Sequence, residues 1–167
     1  MSFESPSLGM TLLRVSPLIF GTAMFAFSVG HGFASGAFLS PQIPKQARHA
    51  VWAYWLRDYG RIVVVNSPSI LTTLATCLIN MYYSHISRAW WLTAVVLILG
   101  HMFPFSVGLR WMTLKPEDFK AMSEAEGVRW IREVPDVNRR RALFPDLFAW
   151  LTVVYAVTTN LQAASAQ

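Results

Sequence analysis

The chain has 167 residues, of which 54% are apolar and 14% charged, and its formal net charge is +5. A soluble domain usually has about 25% charged residues, so this composition favours an integral membrane protein. The basic charge does not indicate a nucleic-acid partner, because it is concentrated in the loops between apolar segments. The single cysteine, Cys77, excludes an internal disulfide and a thiolate metal cluster.

Four apolar segments predict four membrane-crossing helices, since a helix needs roughly 17 to 25 residues to cross the hydrocarbon core. They span about residues 15–39, 62–84, 89–109 and 142–161. The first is too long for the apolar core of a cleavable signal, which has about 7 to 15 residues. The predicted fold is therefore an all-α integral membrane protein, an antiparallel four-helix bundle that forms a single domain over residues 1–167.

Two long loops, 40–61 and 110–141, carry most of the positive charge. Four Lys or Arg residues lie in the first loop and eight in the second, whereas Arg14 and Arg88 lie on the other side. The positive-inside rule places both loops in the cytosol and both termini outside it. The endoplasmic reticulum fits this topology.

Each loop is predicted to hold short interfacial helices. In the first, Pro44 begins a helix that Gly60 ends, and its apolar face is formed by Trp52, Trp55, Leu56 and Tyr59. In the second, helices begin at Pro116 and at Ser123, which forms a capping box with Glu126, and Pro135 closes the segment.

Small and polar residues mark the first two membrane helices. The first helix has small residues at four-residue intervals, a pattern that favours close helix packing: Ser28, Gly32, Gly36 and Ser40. The second has a polar stripe that we expect to face the bundle interior: Asn66, Ser69, Thr73, Thr76 and Asn80. That stripe serves either interhelical hydrogen bonding or the wall of a polar cavity.

His31 and His101 are candidate functional groups, because ionisable residues inside membrane helices are costly. Neutral imidazole suits a general base, since its ordinary pKa is about 6.5. The topology places both histidines at a similar depth, near Arg61, Asn66 and Asp146. Alternatively, each histidine only bonds a neighbouring helix, and Asp146 only caps the fourth helix. Two histidines do not predict a metal site, and Pro104 predicts a kink beside His101.

The order of four stretches resembles the anthrone oxygenase-like family of small four-helix membrane proteins. They are SGAFLSP (35–41), WLRDYGRIVVVNSPSI (55–70), FPFS (103–106) and RALFP (141–145). The chain also departs from that pattern, because Asn138 and Val134 stand where the family has a His and a Trp.

The resemblance implies cofactor-independent oxidation by dioxygen of a lipophilic aromatic polyketide-type compound to a quinone, in secondary metabolism. The base would be His101 or His31, with Asn66 and Ser69 as donors to the enolate oxygen, and Asp146 is a further catalytic candidate. Substrate-binding residues would be Arg61, Ser69, Thr73, Phe103, Phe105 and Trp150. The expected partners are the lipid bilayer, the substrate and dioxygen, with no cofactor and no metal.

Two other functions fit the same sequence. One is a non-catalytic membrane scaffold or subunit, favoured by the missing His and Trp and by the large basic loop. The other is a cofactor-free cyclase or isomerase, which would use the base without dioxygen.

Overall fold

A computed structural model describes residues 7–102 and 115–165. Within these ranges every regular element is a helix, which confirms the predicted all-α class. The helices are α1 (Leu8–Ala37), α2 (Lys45–Tyr83), α3 (Arg88–His101), α4 (Pro116–Ala121), α5 (Glu124–Arg141) and α6 (Leu147–Ser165). A kink segment, Ala142–Asp146, joins α5 to α6.

Helix α1 buries one face from Pro17 to Ser35. Ser7 caps its first turn by accepting a hydrogen bond from the Met10 amide at 3.4 Å. The buried positions recur every three or four residues and are Pro17, Gly21, Met24, Ser28, His31 and Ser35. This spacing puts them on one side of an α-helix, which packs against α2, α5 and α6.

Helix α2 is longer than predicted. The sequence predicts a break at Gly60, but α2 is continuous from Lys45 to Tyr83. A glycine inside a helix costs only about 1 kcal/mol relative to alanine. Packing of Trp52, which is buried against α5, outweighs that cost on the N-terminal side of Gly60.

The second loop starts as predicted but ends differently. Helix α4 begins at Pro116, and Ser123 caps α5 by accepting a hydrogen bond from the Glu126 amide at 3.3 Å. The predicted end at Pro135 is wrong, because α5 continues through it to Arg141. Pro135 is buried together with Val134 and Asn138, so tertiary packing holds the helix together where one backbone hydrogen bond is lost.

Two apolar clusters hold the helices together. The larger lies between α1, α2, α3 and α6, and its buried members include Met24, Cys77, Trp91, Ile98 and Val153. The smaller joins the N-terminal part of α2 to α5 through Trp52, Trp130, Ile131 and Val134. The second cluster fixes where α5 lies against the end of α1.

Two helical stretches are long and apolar enough to cross a membrane. They are Leu8–Ala37 and Glu124–Ala164, the latter running from α5 through the kink segment into α6. Helix α3 is apolar but shorter in its described part, and the predicted continuation to residue 109, including Pro104, lies outside the described residues. The kink segment occupies residues 142–146, the first turn of the predicted fourth helix, and regular α6 follows from Leu147.

Candidate functional site

The end of α3 meets the kink segment through a buried ionisable pair. His101 Nδ1 lies 2.7 Å from Asp146 Oδ1, and the two side chains are 4% and 0% exposed. Phe144 has extended backbone angles, φ −159° and ψ 113°, which interrupt the helix between α5 and α6. Gly100 lies against Pro145 of the kink segment, since a Cβ atom on Gly100 would be in van der Waals contact with Pro145 Cγ at 3.4 Å.

Arg141 adds a second charge to this pair. Its Nε lies 3.7 Å from Asp146 Oδ2, an ion-pair distance rather than a hydrogen bond, and its side chain is 15% exposed. The carboxylate of Asp146 therefore lies between an imidazole and a guanidinium. A buried carboxylate needs such partners, since an unpaired charge there would be costly.

The second histidine is paired with the end of α5. His31 Nδ1 lies 2.8 Å from Asn138 Nδ2, and both residues are buried. The His31 ring also stacks with Phe27 and with Trp55, at centroid distances of 5.7 Å and 5.2 Å. The two stacking contacts restrict the plane of the ring, and Asn138 contacts one of its nitrogens.

Arg141 connects the two pairs. Besides its contact with Asp146, its guanidinium lies close enough to His31 for the two groups to interact electrostatically. We call the resulting set the polar cluster; it consists of His31, His101, Asn138, Arg141 and Asp146. It gathers a potential base, a carboxylate that orients it, an amide and a permanent positive charge within an apolar bundle.

Asn138 and Arg141 are the two members that the sequence interpretation did not choose as site residues. They lie three residues apart on α5, on the face that also buries Ile131 and Val134. Continuing that buried face along α5 would have placed both side chains inside the protein. The signal available in the sequence was residue type, because an amide and a cation follow at the end of an apolar helix face.

The polar stripe of α2 is buried or half-buried, and most of its hydrogen bonds run to helix backbone carbonyls. Thr73 is fully buried and donates to the Ser69 carbonyl at 2.6 Å. Asn80 donates to the Leu13 carbonyl of α1 at 2.9 Å and to the Thr76 carbonyl of its own helix at 2.8 Å. These bonds match the interhelical and intrahelical alternative for this part of the stripe.

The remaining candidate residues are spread over the molecule. Asn66 is buried in α2, at 8% exposure. Trp150 Nε1 donates to Thr22 Oγ1 at 2.9 Å, so it fastens α6 to α1. The side chain of Arg61 lies outside the described part of the structure, as do Phe103 and Phe105.

A half-open groove of about 590 Å³ lies between α1, α5 and the kink segment. Its α1 wall includes the small residues Ser28, Gly32 and Gly36, and its other walls include Arg139 and Leu143. A Cβ atom on Gly36 would meet nothing within 4 Å. Thus Gly36 leaves open space instead of bringing two helices together.

Gly32 behaves differently from Gly36. A Cβ atom there would lie 3.9 Å from Asn138 Cβ and 4.0 Å from the Arg139 amide nitrogen, so α5 packs closely at this point. Gly32 also lines the groove, and Asn138 belongs to the polar cluster. Gly32 of the groove wall therefore contacts Asn138 of the cluster.

Among residues 7–102 and 115–165, no three His, Cys, Asp or Glu side chains are grouped as a metal would require. The fold and this geometry define a helical protein with two candidate membrane-crossing stretches and a buried polar cluster. Compared with protein-family models, curated proteins and solved structures, the chain has no match.

Proposed function

We propose that the protein is a membrane-bound, cofactor-independent oxygenase that converts a lipophilic aromatic polyketide-type compound to a quinone. The observation that carries the proposal is the buried contact between His101 and Asp146, with Arg141 on the far carboxylate oxygen. An imidazole oriented by a carboxylate is the arrangement that a general base needs.

The proposed topology is a membrane-spanning four-helix bundle with both long loops in the cytosol, and the proposed membrane is that of the endoplasmic reticulum. It is supported by large apolar side chains that point outward from each of the four main helices. Examples are Phe20 and Phe33 on α1, Leu71 and Leu78 on α2, Leu92 and Val96 on α3, and Leu151 on α6. Outward apolar faces on all four helices are what a lipid environment requires.

The reaction balances without a bound cofactor. A base removes one proton from the acidic methylene of an anthrone-type substrate, and the resulting enolate transfers an electron to dioxygen. The two radicals combine to form a C–O bond, and the protonated base returns its proton to the peroxide anion. The resulting hydroperoxide loses water to leave the new carbonyl. One dioxygen therefore yields one quinone oxygen and one water, and the substrate carbon is oxidised.

His101 is the proposed base. Its Nδ1 is occupied by Asp146, so the proton would be taken up at Nε2. The carboxylate stabilises the imidazolium formed, as in other imidazole–carboxylate pairs. Arg141, on the far oxygen of Asp146, would offer a positive charge to the developing enolate.

The groove is the proposed place for the substrate rings. Ligand sites usually have volumes of about 300 to 1,000 Å³ and mostly apolar walls. This groove, at about 590 Å³, is within that range, and apolar residues such as Val29, Phe33 and Leu143 line it. An apolar space beside the cluster would admit both the aromatic substrate and dioxygen.

The test is quinone formation by purified protein in lipid nanodiscs supplied with an anthrone and dioxygen. We expect quinone to appear faster than in nanodiscs that hold His101→Ala protein. His85→Ala is the matched control, because His85 is exposed in the connection between α2 and α3. A wild-type rate equal to the spontaneous rate would remove the oxygenase proposal.

A second candidate function is a non-catalytic scaffold or subunit. It is favoured by the near-complete burial of His101 and Asp146, which also join α3 to the kink segment as a structural contact would. In that case folded His101→Ala protein should keep its partner and its cellular function. A cyclase or isomerase on the same base would instead consume substrate with no uptake of oxygen.

A further inference from the structure

The two histidines of the polar cluster have hydrogen-bond partners of opposite character. Asp146 offers His101 a carboxylate oxygen, whereas Asn138 offers His31 an amide nitrogen. An ionised carboxylate can only accept a hydrogen bond, and an amide NH₂ can only donate one. Each partner therefore dictates which ring nitrogen of its histidine carries the proton.

We infer that His101 and His31 are held in opposite neutral tautomers, and that Asn138 is the positioning residue that makes His31 a hydrogen-bond donor. His101 must donate from Nδ1, so its Nε2 keeps a lone pair. His31 must accept at Nδ1, so its proton is on Nε2. The two tautomers follow from the hydrogen-bond partners alone, and only their catalytic roles rest on the proposed function.

The consequence is a division of roles. With a lone pair on Nε2, His101 can remove a proton from substrate, but with a proton on Nε2, His31 cannot. His31 can instead donate a hydrogen bond to an oxygen that becomes negative when the enolate forms. The stacked Phe27 and Trp55 rings keep the His31 plane fixed, so rotation of the ring would disturb both contacts.

A single substitution at Asn138 should reverse the tautomer of His31. Its side chain is 1% exposed, its Cβ packs against Gly32, and Nδ2 reaches His31. Asn138→Asp has nearly the same shape but replaces the donor by an acceptor. His31 would then carry its proton on Nδ1, and its Nε2 would lose the donor function.

The experiment is ¹⁵N NMR of the ring nitrogens in histidine-labelled full-length protein in lipid, above neutral pH. The chain has four histidines, so His31→Gln and His101→Gln spectra assign the two signals of interest. In wild-type protein we expect a protonated Nδ1 for His101 and a protonated Nε2 for His31. In Asn138→Asp protein, the His31 signals should exchange places while those of His101 stay unchanged.

Three results would overturn the inference. The first is a His31 proton on Nδ1 in wild-type protein, which would mean that the Asn138 amide oxygen faces the ring. The second is protons on both nitrogens of either histidine. The third is no change at His31 in folded Asn138→Asp protein. The spectra do not depend on turnover, so the expected tautomers without quinone formation would refute the oxygenase alone.

Discussion

Removing the carboxylate of Asp146 should destabilise the protein strongly, because it is the shared partner of two groups. Asp146→Ala leaves Arg141, which is 15% exposed, without its counter-charge and leaves His101 Nδ1 without an acceptor. Two unit charges 3.7 Å apart interact by about 4 to 5 kcal/mol at an effective dielectric constant near 20. Breaking one partner of a buried pair usually costs roughly 3 to 5 kcal/mol in the free energy of unfolding.

The chain provides its own control for this change. Asp136 and Arg139 form an ion pair at 3.1 Å, but their side chains are 54% and 70% exposed. Asp136→Ala should therefore lower the free energy of unfolding by less than about 0.5 kcal/mol. The two aspartates are expected to differ in their contribution to stability because Asp146 is buried and Asp136 is exposed, not because of their distances to arginine.

The assay is unfolding of both variants in mixed micelles with increasing sodium dodecyl sulfate, followed by circular dichroism. Asp146→Asn is a milder third variant, which keeps the side-chain shape and one acceptor and should lose about 1 to 3 kcal/mol. If the losses for Asp146→Ala and Asp136→Ala differ by less than about 1 kcal/mol, the polar cluster does not contribute to stability as a buried charge network.

Two further changes test the base and the groove. His101→Ala should lower the rate of quinone formation by about 100-fold or more, since general base catalysis contributes a factor of roughly 10² to 10⁴. His85→Ala should have little effect, and equal rates in the two variants would exclude His101 as the base. Gly36→Leu should fill the groove and raise KM for the aromatic substrate, whereas Gly30→Leu should not, although a Cβ atom at either glycine meets nothing within 4 Å. Unchanged KM in folded Gly36→Leu protein would place the substrate elsewhere.

Local signals predicted the helix starts well. Pro116 and Ser123 begin helices in the structure because their effects act within one turn, through acids near the helix N-terminus and a side-chain cap. Gly60 and Pro135 were wrong as helix ends, because a helix stop depends on what the following residues pack against. The buried Trp52 and Val134 contacts, distant in sequence, carry α2 and α5 past these residues.

The sequence predicted the depth in the bundle at which the candidate site residues lie, but not which of them are in contact. Topology placed His101 and Asp146 at one level of the bundle, and the structure shows them 2.7 Å apart although 45 residues separate them in sequence. The choice of partner depends on the kink at Phe144 and on the close packing of Gly100 against Pro145. Neither follows from helical periodicity. Periodicity along α5 indicates that Asn138 is buried, but it does not identify His31 on α1 as its partner.

The most direct test of the proposed function is oxidation of an anthrone by nanodisc-embedded protein under ¹⁸O₂, with wild-type and His101→Ala protein side by side. We expect the wild type to form quinone with one ¹⁸O atom per molecule and one dioxygen consumed, far faster than the variant. Equal rates for wild type, variant and empty nanodiscs would contradict the assignment, and so would consumption of the anthrone without oxygen uptake.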